Sequence, residues 1–163
     1  MEHLIKISNF IHLLAIGVWL GSIIFFSFGV AGTLFKNLSS RSEAGKLNGI
    51  ILKKLNKIEL ICIKLLFITF LIDYSQVNFR TDILFVRFAV FVVMAISTVT
   101  YSTYVTTESE KLKEKIINFD ETTKDMPERK KFDRLHKLYV KMLSTNLFLG
   151  WALLYLTSIN LKY

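Results

Sequence analysis

The chain has 163 residues, of which 52% are hydrophobic and 13% aromatic, and its formal net charge is +8. This hydrophobicity excludes a disordered chain and is high for a soluble domain of this length. The single cysteine excludes an internal disulfide framework and a multi-cysteine zinc or iron–sulfur site. The length is sufficient for about four membrane-crossing helices and their loops.

The first predicted element is a membrane span over residues 7–35, which contain no Asp, Glu, Lys or Arg. At a rise of about 1.5 Å per residue, this run is longer than a hydrocarbon core of about 30 Å, and much longer than the apolar core of a secretory signal. Gly17 and Gly21 have the small-xxx-small spacing that lets helix backbones approach closely in lipid. Packing inside the bundle is the favoured interpretation of this pair, and a dimer seam is the alternative.

Three further spans are predicted in chain order, near residues 55–74, 83–107 and 138–160. The third and the fourth contain uncharged runs of 20 residues, whereas Glu59 and Lys64 interrupt the second. We retain the second span because a chain with three spans would not have the distribution of basic residues described next. The expected fold is therefore an all-α, antiparallel, up-down four-helix transmembrane bundle that forms one domain over residues 1–163.

Lysine and arginine are concentrated in two of the predicted loops. Residues 36–57 contain six of them and residues 106–137 contain nine, whereas the N-terminus, the loop around Arg80 and the C-terminus contain one each. The positive-inside rule then places the basic loops, 36–54 and 108–137, in the cytoplasm and both termini outside it. We expect a bacterial inner membrane and contact of these loops with anionic lipid headgroups. No nucleic-acid-binding motif accompanies the basic residues.

Polar residues at the outer ends of the spans form a first candidate site. Arg87 opens the third span, and a charge inside a membrane helix is costly unless it finds a partner. Asp73 and Asp82 lie at the same boundary, and we expect Arg87, His12 and one of these aspartates to form a cluster. A network that ties the helices together is the favoured role, and a ligand or proton site is the alternative.

A second set of polar residues lies deeper in the predicted spans. Glu59 lies at a depth comparable with Asn146, which shares a bundle-facing stripe with His136, while Trp19 shares a stripe with His12. His12 and His136 enter the membrane from opposite sides, on the order of 25 Å apart, so one metal ion cannot join them. His12 alone stays a candidate haem or metal ligand, although a hydrogen-bonded structural histidine is the favoured interpretation. The sequence contains no carboxylate pair, nucleophile–base arrangement or glycine-rich phosphate loop, which argues against an enzyme.

The segment from His12 to Phe35, HLLAIGVWLGSIIFFSFGVAGTLF, resembles the opening helix of the family called domain of unknown function 4149, or transmembrane protein 205-like. The matching positions are His12, Trp19, Gly21, Phe25, Phe26, Thr33, Leu34 and Phe35. The segment from Phe132 to Gly150, FDRLHKLYVKMLSTNLFLG, is similar to that family's lead into its last span. The matching positions there are Phe132, Leu135, His136 and Asn146.

The opening His-x6-Trp-x-Gly is also similar to copper-resistance protein D and, more distantly, to the four-span haem-binding protoporphyrinogen oxidases. This wider resemblance implies a metal or porphyrin link through His12. Three functions stay open. The preferred one is non-enzymatic binding or passage of a small solute or metal ion within the bundle. The alternatives are a haem- or porphyrin-linked redox protein and an accessory or scaffold subunit that assembles with itself or with a larger membrane complex.

Overall fold

The computed structural model describes residues 2–75, 81–116, 119, 123 and 125–160. Within these residues the regular secondary structure is entirely helical, which confirms the all-α prediction. The predicted short loop around Arg80 lies outside the described residues.

Six α-helices and two π-helical segments follow one another in the part of the chain that the structure describes. They are α1 (Glu2–Ile24), a first π-helix (Phe25–Val30), α2 (Ala31–Asn37), α3 (Arg41–Ser75), α4 (Thr81–Val99), a second π-helix (Thr100–Val105), α5 (Thr106–Lys115) and α6 (Pro127–Asn160). Each π-helix joins its two neighbours without a break, so the chain forms four long helical stretches over these residues. The helices extend well into the two predicted basic loops.

Local sequence signals explain where two of the stretches begin. The Ser40 hydroxyl accepts a hydrogen bond from the Glu43 backbone N–H at 3.0 Å, and Ser39 donates to the Glu43 carboxylate at 3.3 Å. The bond to Ser40 satisfies a backbone donor that the first turn of α3 would otherwise leave unpaired, and the bond from Ser39 holds the Glu43 side chain at this helix end. Pro127 begins α6, where its fixed φ suits the first helical position and its missing N–H costs nothing.

Three of the four stretches in the described residues are long and apolar enough to cross a membrane. They are Glu2–Asn37, Asp82–Lys115 and Pro127–Ile159. The chain is therefore an integral membrane protein. Helix α3, which has 35 residues, does not meet the same criterion because Glu59, Lys64 and Asp73 interrupt its apolar sequence.

The core lies where these stretches pack together. Helix α1 packs on α3 and α6, and α4 packs on α6 and α3. Buried apolar side chains from all four helices meet there, among them Ile16, Leu66, Met94 and Leu153. Gly150 permits the approach of α6 to α1, because a Cβ at this position would lie 2.5 Å from Leu20 Cδ2.

Gly17 and Gly21 do not have the packing role that was the favoured interpretation of their spacing. Both residues are exposed, and a Cβ built on either would meet no atom within 4 Å. The buried stripe of α1 runs instead through His12, Ile16 and Trp19. The prediction of packing inside the bundle is therefore wrong for this pair, because the polar and aromatic residues of α1 face the core and the two glycines face away from it.

Candidate functional site

Arg87, His12, Asp73 and Thr69 form a buried cluster, which we call the Arg87 cluster. The Arg87 Nη2 donates to His12 Nε2 at 3.1 Å and to Asp73 Oδ2 at 3.4 Å. His12 Nδ1 lies 2.7 Å from Thr69 Oγ1, whose hydroxyl donates to the Leu66 carbonyl at 2.9 Å. The cluster thus brings together α1, α3 and α4.

These hydrogen bonds assign the proton of His12. A guanidinium can only donate, so His12 Nε2 must accept from Arg87. Nδ1 then carries the hydrogen and donates to Thr69, whose own hydrogen goes to the Leu66 carbonyl. The imidazole is therefore neutral, and a second proton on it would break the bond from Arg87.

The Arg87 cluster is organised as a helix tie. Both His12 nitrogens are already bonded within the chain, so this arrangement leaves neither of them for a haem iron or a metal. Asp82 is exposed and takes no part in the cluster, so Asp73 is the aspartate that joins it. Among the described residues, no group of three or more His, Cys, Asp or Glu is placed to hold a metal ion.

A second buried network, the Glu59 network, joins all four helical stretches. Trp19 Nε1 donates to Glu59 Oε1 at 3.1 Å, and the Tyr101 hydroxyl donates to the same oxygen at 2.6 Å. The Tyr101 hydroxyl also lies 3.2 Å from Thr98 Oγ1, to which Asn146 Nδ2 donates at 2.7 Å. The five side chains are buried, so Trp19, Glu59 and Asn146 meet through Thr98 and Tyr101.

Two buried oxygens of this network have no hydrogen-bond partner among the described residues. Glu59 Oε2 is buried and has no hydrogen-bond partner, and the same is true of Asn146 Oδ1. Within the described part of the chain, no Lys, Arg or His nitrogen lies within 4 Å of the Glu59 carboxyl group. Glu59 is thus held by neutral donors and not by an ion pair.

Tyr139 connects this region to a large opening at the basic end of the helices. Its hydroxyl donates to Asn56 Oδ1 at 2.8 Å, and its ring packs edge-on against that of Tyr101 with centroids 4.9 Å apart. Tyr139 also lines a cavity of about 660 Å³ between α3, α5 and α6. We call this cavity the basic crevice; its lining includes Gly45, Asn48, Lys113, Arg129, His136 and Tyr139.

Lys113 is one of the cations that line the basic crevice. Its Nζ donates to the Gly45 carbonyl at 3.2 Å, and a Cβ at Gly49 would lie 3.1 Å from that nitrogen. Among the described residues, no carboxylate oxygen lies within 4 Å of this nitrogen, so the ammonium group has no ion-pair partner there.

Arg129 lies on the opposite wall, on α6. Its Nη1 donates to the Phe119 carbonyl at 3.0 Å, and its guanidinium carbon lies 4.6 Å from the centroid of the Phe119 ring. Among the described residues, the nearest carboxylate oxygen, from Asp133, lies 3.6 Å from Nε, which is buried and has no hydrogen bond there. The Arg129 side chain is only 14% exposed.

His136 belongs to the crevice and not to the buried stripe of α6. The residue is exposed, and its ring stacks almost parallel to that of Phe132 with centroids 6.3 Å apart. The predicted bundle-facing position is wrong for His136, because the buried stripe of α6 begins a turn later at Tyr139 and continues through Leu143 and Asn146.

The comparisons with known proteins give one family match. The model of a family described as "Domain of unknown function (DUF4149)" matches residues 14–118, which include α3, α4 and both π-helices. No curated protein and no solved structure matches the chain significantly.

Proposed function

The chain belongs to the DUF4149 family, a domain of unknown function, and from that premise we propose that it is a non-enzymatic membrane protein that binds a small solute in the basic crevice. The observation that carries this proposal is the crevice itself. Its volume of about 660 Å³ falls within the range of about 300–1,000 Å³ that is typical of small-molecule sites.

We propose further that the four helical stretches form an antiparallel, up-down transmembrane bundle in which α3 is the second span. Helix α3 exposes the apolar residues Ile61, Ile68 and Leu71, as a lipid-facing helix does. Two of the charged residues that interrupt its apolar sequence are buried and hydrogen-bonded to neighbouring helices. Glu59 accepts hydrogen bonds from Trp19 and Tyr101, and Asp73 accepts one from Arg87. Polar residues inside spans are usually satisfied in this way.

The distribution of lysine and arginine supports an orientation with both termini outside the cytoplasm. The basic crevice then opens toward the cytoplasm, at the level of the lipid headgroups. A bacterial inner membrane is the location that we propose.

Binding accounts for the packing better than passage does. A route for a solute needs a polar or hydrated path between the Arg87 cluster and the Glu59 network. Buried apolar side chains occupy the level between them, including Leu66, Phe70 and Phe91. Phe70 and Phe91 pack with ring centroids 5.2 Å apart. We therefore propose a binding site that is accessible from one side.

A pair of probes tests the proposal on the full chain in phosphatidylcholine nanodiscs. Naphthalenesulfonate and naphthalenemethanol have the same ring and differ in charge, and titration calorimetry measures the binding of each against empty nanodiscs. We expect at least one probe to bind the wild type and to lose binding in Gly45→Trp, which fills the crevice from a position with open space around its Cβ. Gly32→Trp is the matched control, since Gly32 has the same open surroundings and does not line the crevice. If neither probe binds the wild type, the proposed function is contradicted.

A scaffold or accessory role is the second candidate, favoured by the outward position of Gly17 and Gly21. These residues leave a flat strip on α1 where another helix backbone can approach. If the protein assembles with itself through this strip, Gly21→Leu converts an oligomer in mild detergent to a monomer. A wild-type monomer in the same detergent contradicts self-assembly.

A closer relationship to transmembrane protein 205-like or copper-resistance protein D-like proteins, with a haem or metal at His12, is the third candidate. It is supported only by the match of His12, Trp19 and Gly21. The absorbance spectrum and the metal content of the purified protein test it, because a haem at this site gives a Soret band that His12→Ala removes.

A further inference from the structure

We infer that the solute of the basic crevice is an amphipathic anion, whose negative group binds Lys113 and Arg129 and whose apolar body lies against the aromatic lining. This inference rests on the proposed function and names its ligand class. The same chemistry occurs in a free organic carboxylate or sulfonate and in the headgroup of an anionic phospholipid.

Lys113 has hydrogen-bond donors that the described residues do not use. An ammonium group has three donors, and over the residues that the structure describes Lys113 Nζ has one oxygen acceptor, the Gly45 carbonyl. The glycines at 45 and 49 on α3 bring the helix surface close to this nitrogen, since a Cβ at Gly49 would lie 3.1 Å from it. Among the described residues, no carboxylate oxygen lies within 4 Å of Lys113. A ligand anion would supply the acceptors that the chain does not.

Arg129 is the second cation that the inferred anion would bind. Its guanidinium is largely enclosed, with Phe119 beneath it, and in the described part of the chain a single backbone carbonyl is its close acceptor. Buried guanidinium groups normally form two parallel bonds to a carboxylate, sulfonate or phosphate group. The contact with Asp133 at 3.6 Å is too long for such a pair. Arg129 is thus a second cation in the same cavity with bonding capacity to spare.

The acidic residues of the lining do not cancel these charges. Glu110 bonds Lys53, which does not line the crevice, at 2.6 Å. Glu114 is exposed. Arg41 and Lys46 also line the cavity, so cationic side chains outnumber carboxylates among its described lining residues.

The remaining lining suits an apolar body with a polar substituent. Phe35, Phe132 and Tyr139 contribute aromatic rings to the same cavity. Lys113 Nζ already lies 5.7 Å from the centroid of the Phe132 ring, so charge and aromatic surface adjoin. Asn48 Oδ1 is buried without a donor, and it would accept a hydrogen bond from a ligand hydroxyl or amide.

The test compares the two probes and two matched substitutions on α5, with the full chain in phosphatidylcholine nanodiscs. We expect naphthalenesulfonate to bind at least about tenfold more tightly than naphthalenemethanol, and Lys113→Met to weaken sulfonate binding by about tenfold or more. Lys111→Met removes the same charge from an exposed lysine that pairs with Glu108, and it should change the affinity less than about twofold. Arg129→Gln should weaken sulfonate binding as much as Lys113→Met does. Its control is Lys130→Gln, at an exposed neighbour paired with Asp125, which should change the affinity as little as Lys111→Met does.

Equal binding of the two probes, or equal effects of Lys113→Met and Lys111→Met, would overturn the inference and leave the proposed function standing. Failure of both probes to bind contradicts the proposed function itself. Because Lys113→Met replaces a partly buried charge by an apolar side chain of similar length, we expect the variant to fold, and its circular dichroism spectrum checks this.

A second arm distinguishes the two sources of the anion. The protein is released from nanodiscs that contain phosphatidylglycerol, and native mass spectrometry counts the lipids that stay bound to it. Retention of phosphatidylglycerol by the wild type and by Lys111→Met, with loss from Lys113→Met, identifies a lipid headgroup. Equal lipid retention, together with sulfonate binding that is the same in both lipids, identifies a free organic anion.

Discussion

Arg87 shows how a single charged residue is accommodated inside the helices. Its side chain is 3% exposed and that of Asp73 8%, so the pair is almost completely removed from solvent. Burial of two charges is costly, and hydrogen bonds to both members are needed to compensate. His12 and the face of the Phe70 ring, whose centroid lies 5.4 Å from the guanidinium carbon, provide further contacts for Arg87.

Removal of one member of this pair should therefore strongly reduce the stability of the protein. We expect Arg87→Gln to destabilise the protein by about 3–5 kcal/mol, because Asp73 is left as an uncompensated buried charge. The double substitution Arg87→Gln with Asp73→Asn should recover part of this loss, whereas Asp82→Asn, at the exposed aspartate, should have no effect. Thermal unfolding in detergent measures all three, and a single variant as stable as the wild type would show that the pair is not structural.

The Tyr101 hydroxyl stabilises the Glu59 network by donating a hydrogen bond to the buried carboxyl group. Tyr101→Phe removes the donor 2.6 Å from Glu59 Oε1 and leaves a buried carboxyl oxygen with one partner fewer. We expect a loss of about 1–3 kcal/mol. Tyr104→Phe is the control, because Tyr104 is 61% exposed and its hydroxyl supports no buried group. If the two substitutions reduce the unfolding temperature equally, the hydrogen bond is not responsible.

At the scale of the elements, small residues and π-helical turns determine how closely the helices approach. Gly150 lies where α6 contacts α1, and the second π-helix places Tyr101 toward Glu59. In that turn the Thr106 hydroxyl donates to the Tyr101 carbonyl at 2.8 Å and its N–H is directed to the same oxygen. π-helical turns are rare and often occur at functional sites.

Gly150→Leu and Gly21→Leu form a matched pair on two helices. We expect Gly150→Leu to destabilise the protein by about 1–3 kcal/mol, since the added atoms overlap with Leu20 and Met94 in a packed core. Gly21→Leu adds the same atoms to open space and should leave the unfolding temperature of the monomer unchanged. The opposite order of stabilities would mean that α1 faces the core differently.

The sequence predicts these arrangements unevenly. The proximity of His12, Arg87 and an aspartate follows from their equal depth in the spans and the need of a buried charge for a partner. The choice of Asp73, and the contribution of Thr69, depend on the rotation of α3, which depth does not determine. The basic crevice has no sequence signature, because it is assembled from helix ends that are far apart in the chain.

At the scale of the whole molecule, the orientation in the membrane is the main proposal to test. Cys62 is the single cysteine and is buried, so Cys62→Ser gives a cysteine-free background. We expect a membrane-impermeant maleimide, added to intact cells, to label cysteines at His3 and Lys162. Cysteines at Ser39 and Asp125 should be labelled only after the cells are opened. Labelling of the two termini from different sides would exclude an even number of spans.

The π-helix between α4 and α5 also determines where this stretch can lose a residue. A π-helical turn contains about one residue more than an α-helical turn, so loss of one residue from Thr100–Val105 would let the turn become α-helical while α5 kept its rotation about the helix axis. Lys113 would then stay beside the Gly45 carbonyl. Loss of one residue from the regular helix between Thr106 and Lys113 would instead turn Lys113 by about 100° about the axis and dismantle the cationic wall of the cavity.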